Sequence, residues 1–228
     1  MKTVLAVFAK TPRPGRVKTR LTPQLSLAEG AELYRCMLLD TIARVRALPC
    51  DTVIFYEGDA EFFQGIASDL LLIPQHHAGL GERLEDAFAT LSTFGYRERV
   101  IIGSDAPDLP LDFVEEAFRL LADGKEAVFG PAEDGGYYLV GLSGGSCGLF
   151  REIPWSGPEV LAVSLQRGRE AGITPALLPP WCDVDGFEDL QRPGLSDPSN
   201  GASLTRKFLQ DRGIGVTSVA EPSSFPAS

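Results

Sequence analysis

Histidine is almost missing from this chain of 228 residues: His76 and His77 are its only two. They are adjacent, so on an extended backbone they point to opposite faces and make a poor paired metal site. No nucleophile-elbow sequence stands ready to use either of them in a Ser-His-Asp hydrolase. Cysteine is equally sparse. Cys36, Cys50, Cys147 and Cys182 show no Cys-x-x-Cys spacing, which argues against zinc ribbons and redox dithiols and leaves ordinary buried thiols. No apolar run approaches the roughly 20 residues of a membrane-spanning helix, and the first apolar stretch, Thr3 to Ala9, is short for a secretion signal. The expected setting is therefore cytoplasmic, without a membrane partner. The net charge of -10 excludes nucleic acid as an expected partner, because duplex binding needs Lys and Arg clustered over a whole face. Walker loops, dinucleotide fingerprints, internal repeats and interdomain linkers are all lacking.

Acidic residues are also missing from one place. The first is Glu29, and before it stand Lys2, Lys10, Arg13, Arg16, Lys18 and Arg20. This basic segment follows Thr3 to Phe8, which reads as a buried strand. A basic loop punctuated by Pro12, Pro14 and Gly15 after a first strand suits a polyphosphate: ammonium and guanidinium groups, with backbone N–H groups freed by Gly15, meet several negative charges at once. A merely solvated basic loop is the alternative.

Strand and helix signals then alternate, as in an α/β sheet. Ser26-Leu27-Ala28-Glu29 is a capping box opening a helix to about Leu48. Strands are expected at Asp51 to Glu57, Leu70 to Pro74, Arg99 to Gly103, Ala127 to Gly130 and Tyr137 to Leu142, with Ile173 to Leu178 extended. Helices are expected at Asp59 to Ala67, Glu82 to Thr93, Pro110 to Ala122, Gly157 to Ala171, Phe187 to Gln191 and Ala202 to Asp211. Pro110 suits the first position of its helix. The pair around 131–136 reads as a hairpin-like return, which makes the sheet mixed. Residues 1–212 read as a single domain and 213–228 as a mobile tail.

In open α/β sheets, ligands sit beyond the carboxyl ends of strands. Asp105 stands there, two residues past an uncharged strand, facing the crevice that the basic loop borders. A divalent ion bridging a carboxylate and substrate phosphates suits this layout, since Mg²⁺ takes only one or two protein carboxylates. Asp108 either joins it or caps the next helix. Asp183 and Asp185 share one side of an extended segment and would complete a metal site, or else serve a helix dipole, as Asp189 does. Asp134-Gly135-Gly136 offers a carboxylate and two residues that let backbone approach a ligand, though a simple β-turn explains the glycines equally well. Trp155 and Trp181 either flank an acceptor pocket or close the edge of the core.

Taken together, Phe8-Ala9-Lys10-Thr11-Pro12, Gly15 to Leu21, Gly103 to Leu109, Pro131 to Tyr137, Pro154-Trp155-Ser156 and Asp183-Val184-Asp185 resemble a bacterial family of nucleotide-diphospho-sugar transferase-like proteins, often labelled glycosyltransferases of radical-SAM or arsenosugar pathways. More distantly the chain is similar to the phosphoenolpyruvate and molybdenum-cofactor nucleotidyltransferases. The resemblance implies a three-layer α/β/α fold of GT-A type, a Rossmann-like mixed sheet, and Mg²⁺ or Mn²⁺ as cofactor. By position it implies that Ala9, Lys10, Gly15, Arg16, Lys18, Arg20 and Ser104 bind nucleotide phosphates, that Asp105, Asp185 and Asp183 hold the metal, and that Asp134, Gly135, Gly136 and Trp155 meet the acceptor. Asp134, Asp105 and Lys18 would be catalytic. One departure stands out: the family usually follows Asp-Val-Asp with Thr-Pro, and here Gly186-Phe187 stand instead.

Three functions follow as expectations. One is glycosyl transfer from a nucleotide sugar to a small acceptor, with a metal neutralising the departing diphosphate. Another is nucleotidyl transfer to a phosphorylated acceptor, which the density of loop cations favours. The last is a noncatalytic nucleotide-binding protein.

Overall fold

The first strand has no solvent face. Val4 and Ala6 pack into one apolar cluster and Leu5 and Val7 into another, all four fully buried, as required of a strand covered by helices on both sides. The computed structural model describes residues 2–145, 148–155 and 157–215. Cys147, Ser156 and most of the expected tail, 216–228, lie outside the described residues.

In chain order the elements are β1 (Thr3–Lys10), α1 (Leu27–Val45), β2 (Asp51–Glu57), α2 (Ala60–Ala67), β3 (Leu71–Pro74), α3 (Leu80–Thr93), β4 (Glu98–Gly103), α4 (Leu111–Ala122), β5 (Ala127–Pro131), β6 (Tyr137–Leu142), α5 (Val160–Glu170), β7 (Ala176–Leu177), α6 (Pro193–Ser196) and α7 (Ser203–Gln210). Single turns of 3₁₀ helix stand at Thr19–Leu21, Glu188–Gln191 and Pro198–Asn200. Seven strands form one sheet in the order β3-β2-β1-β4-β6-β5-β7. β6 runs antiparallel to β4 and β5, and the other pairings are parallel. The expected mixed sheet and hairpin are thus present.

Helix α3 covers one face, placing Leu84, Phe88 and Leu91 against Phe55, Ile101 and Val140. On the other face α4 sets Val114, Ala117 and Leu121 against Val100, Ile102 and Leu139. The result is the α/β/α layering expected of the GT-A type. The capping box forms as read, Ser26 accepting from the Glu29 amide and Glu29 accepting from the Ser26 amide. At the far end of α1, the buried Asp40 accepts from the amides of Leu204 (3.0 Å) and Thr205 (2.7 Å), a cap supplied by another helix. Pro110 departs from expectation: it precedes the first turn of α4 with ψ 124°, and the helix begins at Leu111.

Two features of this topology position a site. β1 is flanked by β2 on one side and β4 on the other, so the connections leaving it diverge and open a crevice at the carboxyl ends of β1 and β4. Phe8 pairs with Gly103, which brings the basic loop and the Ser104-Asp105 segment to that crevice together.

Candidate active site

A cleft of about 520 Å³ opens at this switch point. One wall is the basic loop, contributing Ala9, Lys10, Arg16, Lys18 and Arg20; Ser104, Asp105 and Asp185 face it. These residues come from three separate loops and are gathered in one place, while Asp134 and Asp183 line a smaller cavity beside it. Gly15 turns the basic loop with φ 74° but stands outside the cleft lining, as do Gly135, Gly136 and Trp155.

Lys18 is the hub. It is one of two non-glycine residues with positive φ among the described residues, at 49°, a conformation that L-residues adopt at a cost and that turns up at functional sites. This backbone sends an almost fully buried side chain across to the acids. Its ammonium lies 3.1 Å from Asp105 Oδ2 and 3.4 Å from Asp185 Oδ1, and donates to the Val184 carbonyl at 2.5 Å. Burial works against the charge, but Asp105 and Asp185 outweigh it and hold the Lys18 pKa above the ordinary lysine value. Arg20 takes the other oxygen of Asp185 at 3.2 Å.

The ends of β1 and β4 are held by Tyr34, a residue of α1 that sequence reasoning did not single out. The Lys10 amide donates to its hydroxyl (2.9 Å), which lies 2.7 Å from Ser104 Oγ, and Ser104 in turn donates to the Phe8 carbonyl (3.2 Å). Burial leads the effects that push the Tyr34 pKa far above an ordinary tyrosine, so the hydroxyl keeps its proton. Ser104, expected to meet phosphate, has its own hydroxyl committed to this relay and is itself buried. Arg83, also unforeseen, donates to Glu57 (2.6 Å) and to the His77 carbonyl (2.6 Å) and fixes the opposite rim.

The acidic loops are joined to each other. Val184 N–H donates to the Asp105 carbonyl at 2.9 Å, and Val184 is fully buried among Leu33, Leu190 and Leu195, so Asp183 and Asp185 flank an apolar anchor. Asp108 is neither a helix cap nor a member of the acidic site. Its side chain is completely buried and paired with Arg192, and no side chain caps α4. Asp189 accepts from the amides of Asp185 (2.8 Å) and Gly186 (2.6 Å), holding the turn where Gly186-Phe187 replace the family's usual residues.

The turn after β5 is explained by its own chain. Gly135 has φ 90°, and a Cβ there would collide with the Pro158 carbonyl. Asp134 accepts from the Gly136 amide at 2.9 Å. The glycines thus serve a tight turn and close packing, while Asp134 lines a smaller cavity beside the cleft. Trp155 packs edge-on to Tyr137 with ring centres 6.2 Å apart, on the core side of that tyrosine. Trp181 meets Phe113 edge-on at 5.9 Å. Both tryptophans close the core.

Among the described residues, no three His, Cys, Asp or Glu side chains converge as a metal-ligand set; an ammonium stands between Asp105 and Asp185. The donor chemistry nonetheless suits a hard cation. Burial, followed by the charge of Asp105, lifts the Asp183 carboxyl to about 7. A cation bound beside Asp183 would favour its ionised form.

Residues 40–157 match a bacterial family described as "uncharacterized protein conserved in bacteria (DUF2064)". A provisionally assigned nucleotide-diphospho-sugar transferase from Desulfovibrio desulfuricans G20 is 33% identical, with 93% of this chain and 96% of that one covered and a TM-score of 0.85. A cytidylyltransferase from Leptospira borgpetersenii serovar Hardjo-bovis shares the fold at 12% identity, covering 97% and 100%, with a TM-score of 0.57. A comparison with curated protein sequences finds no match. Among the described residues no helix is long and apolar enough to cross a membrane. With its mixed sheet, its cleft at the switch point and this likeness over nearly its whole length, the chain belongs to this bacterial family of GT-A-like, nucleotide-diphospho-sugar transferase-type proteins.

Proposed function

We propose that this protein transfers a glycosyl group from a nucleotide-diphospho-sugar to a small acceptor, with residues 1–212 as its single domain. The observation that carries the reading is the opening of the cation-bearing loop after β1 and the Asp105 loop after β4 on one cleft, with Lys18 between them. Lys10, Arg16, Lys18 and Arg20 neutralise the diphosphate as it leaves. A divalent ion held by Asp105 and Asp185, with Asp183 beside them, would share that charge. In the transfer, the acceptor hydroxyl oxygen bonds to the anomeric carbon and its proton passes to the Asp134 carboxylate. The bond from the anomeric carbon to the diphosphate oxygen breaks, and the nucleoside diphosphate departs with the electron pair. Cys36, Cys50 and Cys182 are free thiols, which accords with a cytoplasmic setting.

Nucleotidyl transfer is the second reading, favoured by the number of cations on the basic loop. A thermal-shift panel of nucleoside triphosphates and nucleotide sugars, with and without Mg²⁺ or Mn²⁺, separates the two, because a ligand of the folded state raises its stability by RT ln(1 + [L]/Kd). Metal-dependent stabilisation by a nucleotide sugar above its parent nucleotides is expected. A preference for triphosphates gives the second reading, and the absence of any shift overturns both.

A further inference from the structure

The Lys18 ammonium has no hydrogen left to give. It carries three, and Asp105 Oδ2 (3.1 Å), Asp185 Oδ1 (3.4 Å) and the Val184 carbonyl (2.5 Å) account for all of them. Only 5% of the Lys18 side chain is exposed, whereas those of Asp105 and Asp185, which line the same cleft, are 40% and 45% exposed. A phosphate entering the cleft therefore meets a lysine that is already satisfied.

The charges also balance locally. Asp105 and Asp185 carry two negative charges; Lys18 supplies one positive charge, and Arg20, on the second Asp185 oxygen at 3.2 Å, supplies another. A divalent ion seeking these oxygens has to displace an ammonium tethered to the same chain, which is present at a high effective concentration. The resting arrangement is closed to the kind of ion that the two acids suit.

What can move is the side chain alone. The Lys18 carbonyl accepts from the Leu21 amide at 3.2 Å, and α1 packs so closely on it that a Cβ at Gly30 would stand 3.3 Å from the same oxygen. The backbone is thus pinned, while the four-carbon stem beyond it rotates freely once its ammonium is released. Lys10, Arg16 and Arg20 line the same cleft. A diphosphate held among them carries more charge than a carboxylate and offers several oxygens, so the ammonium gains by leaving the acids for it. Asp105 and Asp185 would then face Arg20 alone, two negative charges against one positive.

Resting on the transferase reading above, we propose that Lys18 gates the cation site: its ammonium closes Asp105 and Asp185 to a divalent ion in the free protein, and an incoming nucleotide diphosphate draws it away and opens them. The ammonium and the divalent ion take turns at the same two carboxylates. Nucleotide and metal are then bound with positive coupling, and by linkage each raises the affinity for the other by the same factor.

Mn²⁺ titrations followed by electron paramagnetic resonance test the gate on the natural chain, Lys18→Met and Lys18→Arg, each alone and with ADP, CDP, GDP or UDP, against protein-free titrations of the same nucleotides. Without nucleotide, Lys18→Met is expected to bind Mn²⁺ at least about tenfold more tightly than the natural chain, within the usual range of coupling between sites. Lys18→Arg keeps a positive charge at the acids and should stay closed. A nucleotide that binds should tighten Mn²⁺ binding by the natural chain at least about tenfold, and by Lys18→Met much less. Direct contact between metal and phosphate is common to both proteins, so the difference reports the lysine. Equal Mn²⁺ affinity of the natural chain and Lys18→Met without nucleotide, or equal tightening in both, would overturn the proposal. Should Lys18→Met give no cooperative melting transition, the natural chain still decides: Mn²⁺ bound as tightly without nucleotide as with it would overturn the gate. Opening by Lys18→Met with no nucleotide bound to either protein would leave the closure standing and count against the transferase reading alone.

Discussion

Arg192 closes a two-pronged pair on Asp108, with Nε 3.0 Å from Oδ2 and the second prong on Oδ1. The same guanidinium donates to the carbonyls of Cys182 and Asp183. One side chain thereby clamps the loop that follows β4 to the segment that presents Asp183 and Asp185, and the geometry of the acidic wall depends on residues that lie outside it.

Breaking a buried pair strands a charge, at a typical cost of about 3–5 kcal/mol. Asp108→Ala is expected to destabilise the protein by an amount in that range in urea unfolding. Arg192→Lys should recover only part of the Arg192→Ala loss, because a lysine cannot reproduce the planar fork. Gly194→Ala is a milder probe of the same contact, since its Cβ would stand 2.5 Å from Asp108 Oδ2. A loss under about 1 kcal/mol for Asp108→Ala would place the pair with ordinary surface ion pairs.

Tyr34→Phe removes the acceptor of the Lys10 amide and the partner of Ser104 in one step. An unsatisfied buried donor costs roughly 1–3 kcal/mol, so a destabilisation of that size is expected. Faster hydrogen exchange at the Lys10 amide is the more specific readout. Unchanged exchange there would mean that the end of β1 is held without the tyrosine.

The sequence pattern was informative wherever the cause is local. The apolar run of β1, the Ser26-Glu29 box and the hairpin from β5 to β6 each depend on neighbours within a few residues, and all three formed as read. The topology rule carried this further, placing the basic loop and Asp105 on one crevice. What could not be read was long-range pairing. Asp108 looks like a cap by its nearness to Pro110, yet its partner lies 84 positions away. Gly135 looks like a ligand-facing glycine until the Pro158 carbonyl is found against it. Tyr34 sits on an amphipathic helix like any core aromatic, and its link to Ser104 spans 70 positions.

Glu57 gives a pH dependence whose sign is fixed by its neighbours. Burial alone would raise its pKa, but the hydrogen bond from Arg83 and the charge of Lys10 outweigh this and hold it below the ordinary 4.5. A depressed carboxylate pKa adds stability above the unfolded value, and that stability disappears as pH falls through the folded one. Glu57→Gln should therefore be less stable than the natural chain near neutral pH, by less than about 1 kcal/mol because the side chain is half exposed. The gap in melting temperature should narrow as the pH drops below 4.5. A gap that persists in acid would assign the effect to packing.

Lys18 is placed to exchange partners. With no nucleotide bound its ammonium is shared by Asp105, Asp185 and the Val184 carbonyl; a diphosphate in the cleft offers a stronger anion to the same group. Hydrogen bonds to charged groups contribute about 1.5–3 kcal/mol, so Lys18→Ala is expected to weaken nucleotide binding by about 10- to 100-fold. Lys125→Ala, at an exposed position outside the cleft lining, should leave affinity unchanged. Without nucleotide, the same Lys18→Ala protein should bind Mn²⁺ more tightly than the natural chain, because the internal cation no longer competes for Asp105 and Asp185. Isothermal titration of both ligands into both variants checks the two halves together. Weaker nucleotide binding with unchanged Mn²⁺ affinity would confine Lys18 to the phosphates, and equal effects of the two lysines on nucleotide affinity would remove the basic loop from the site.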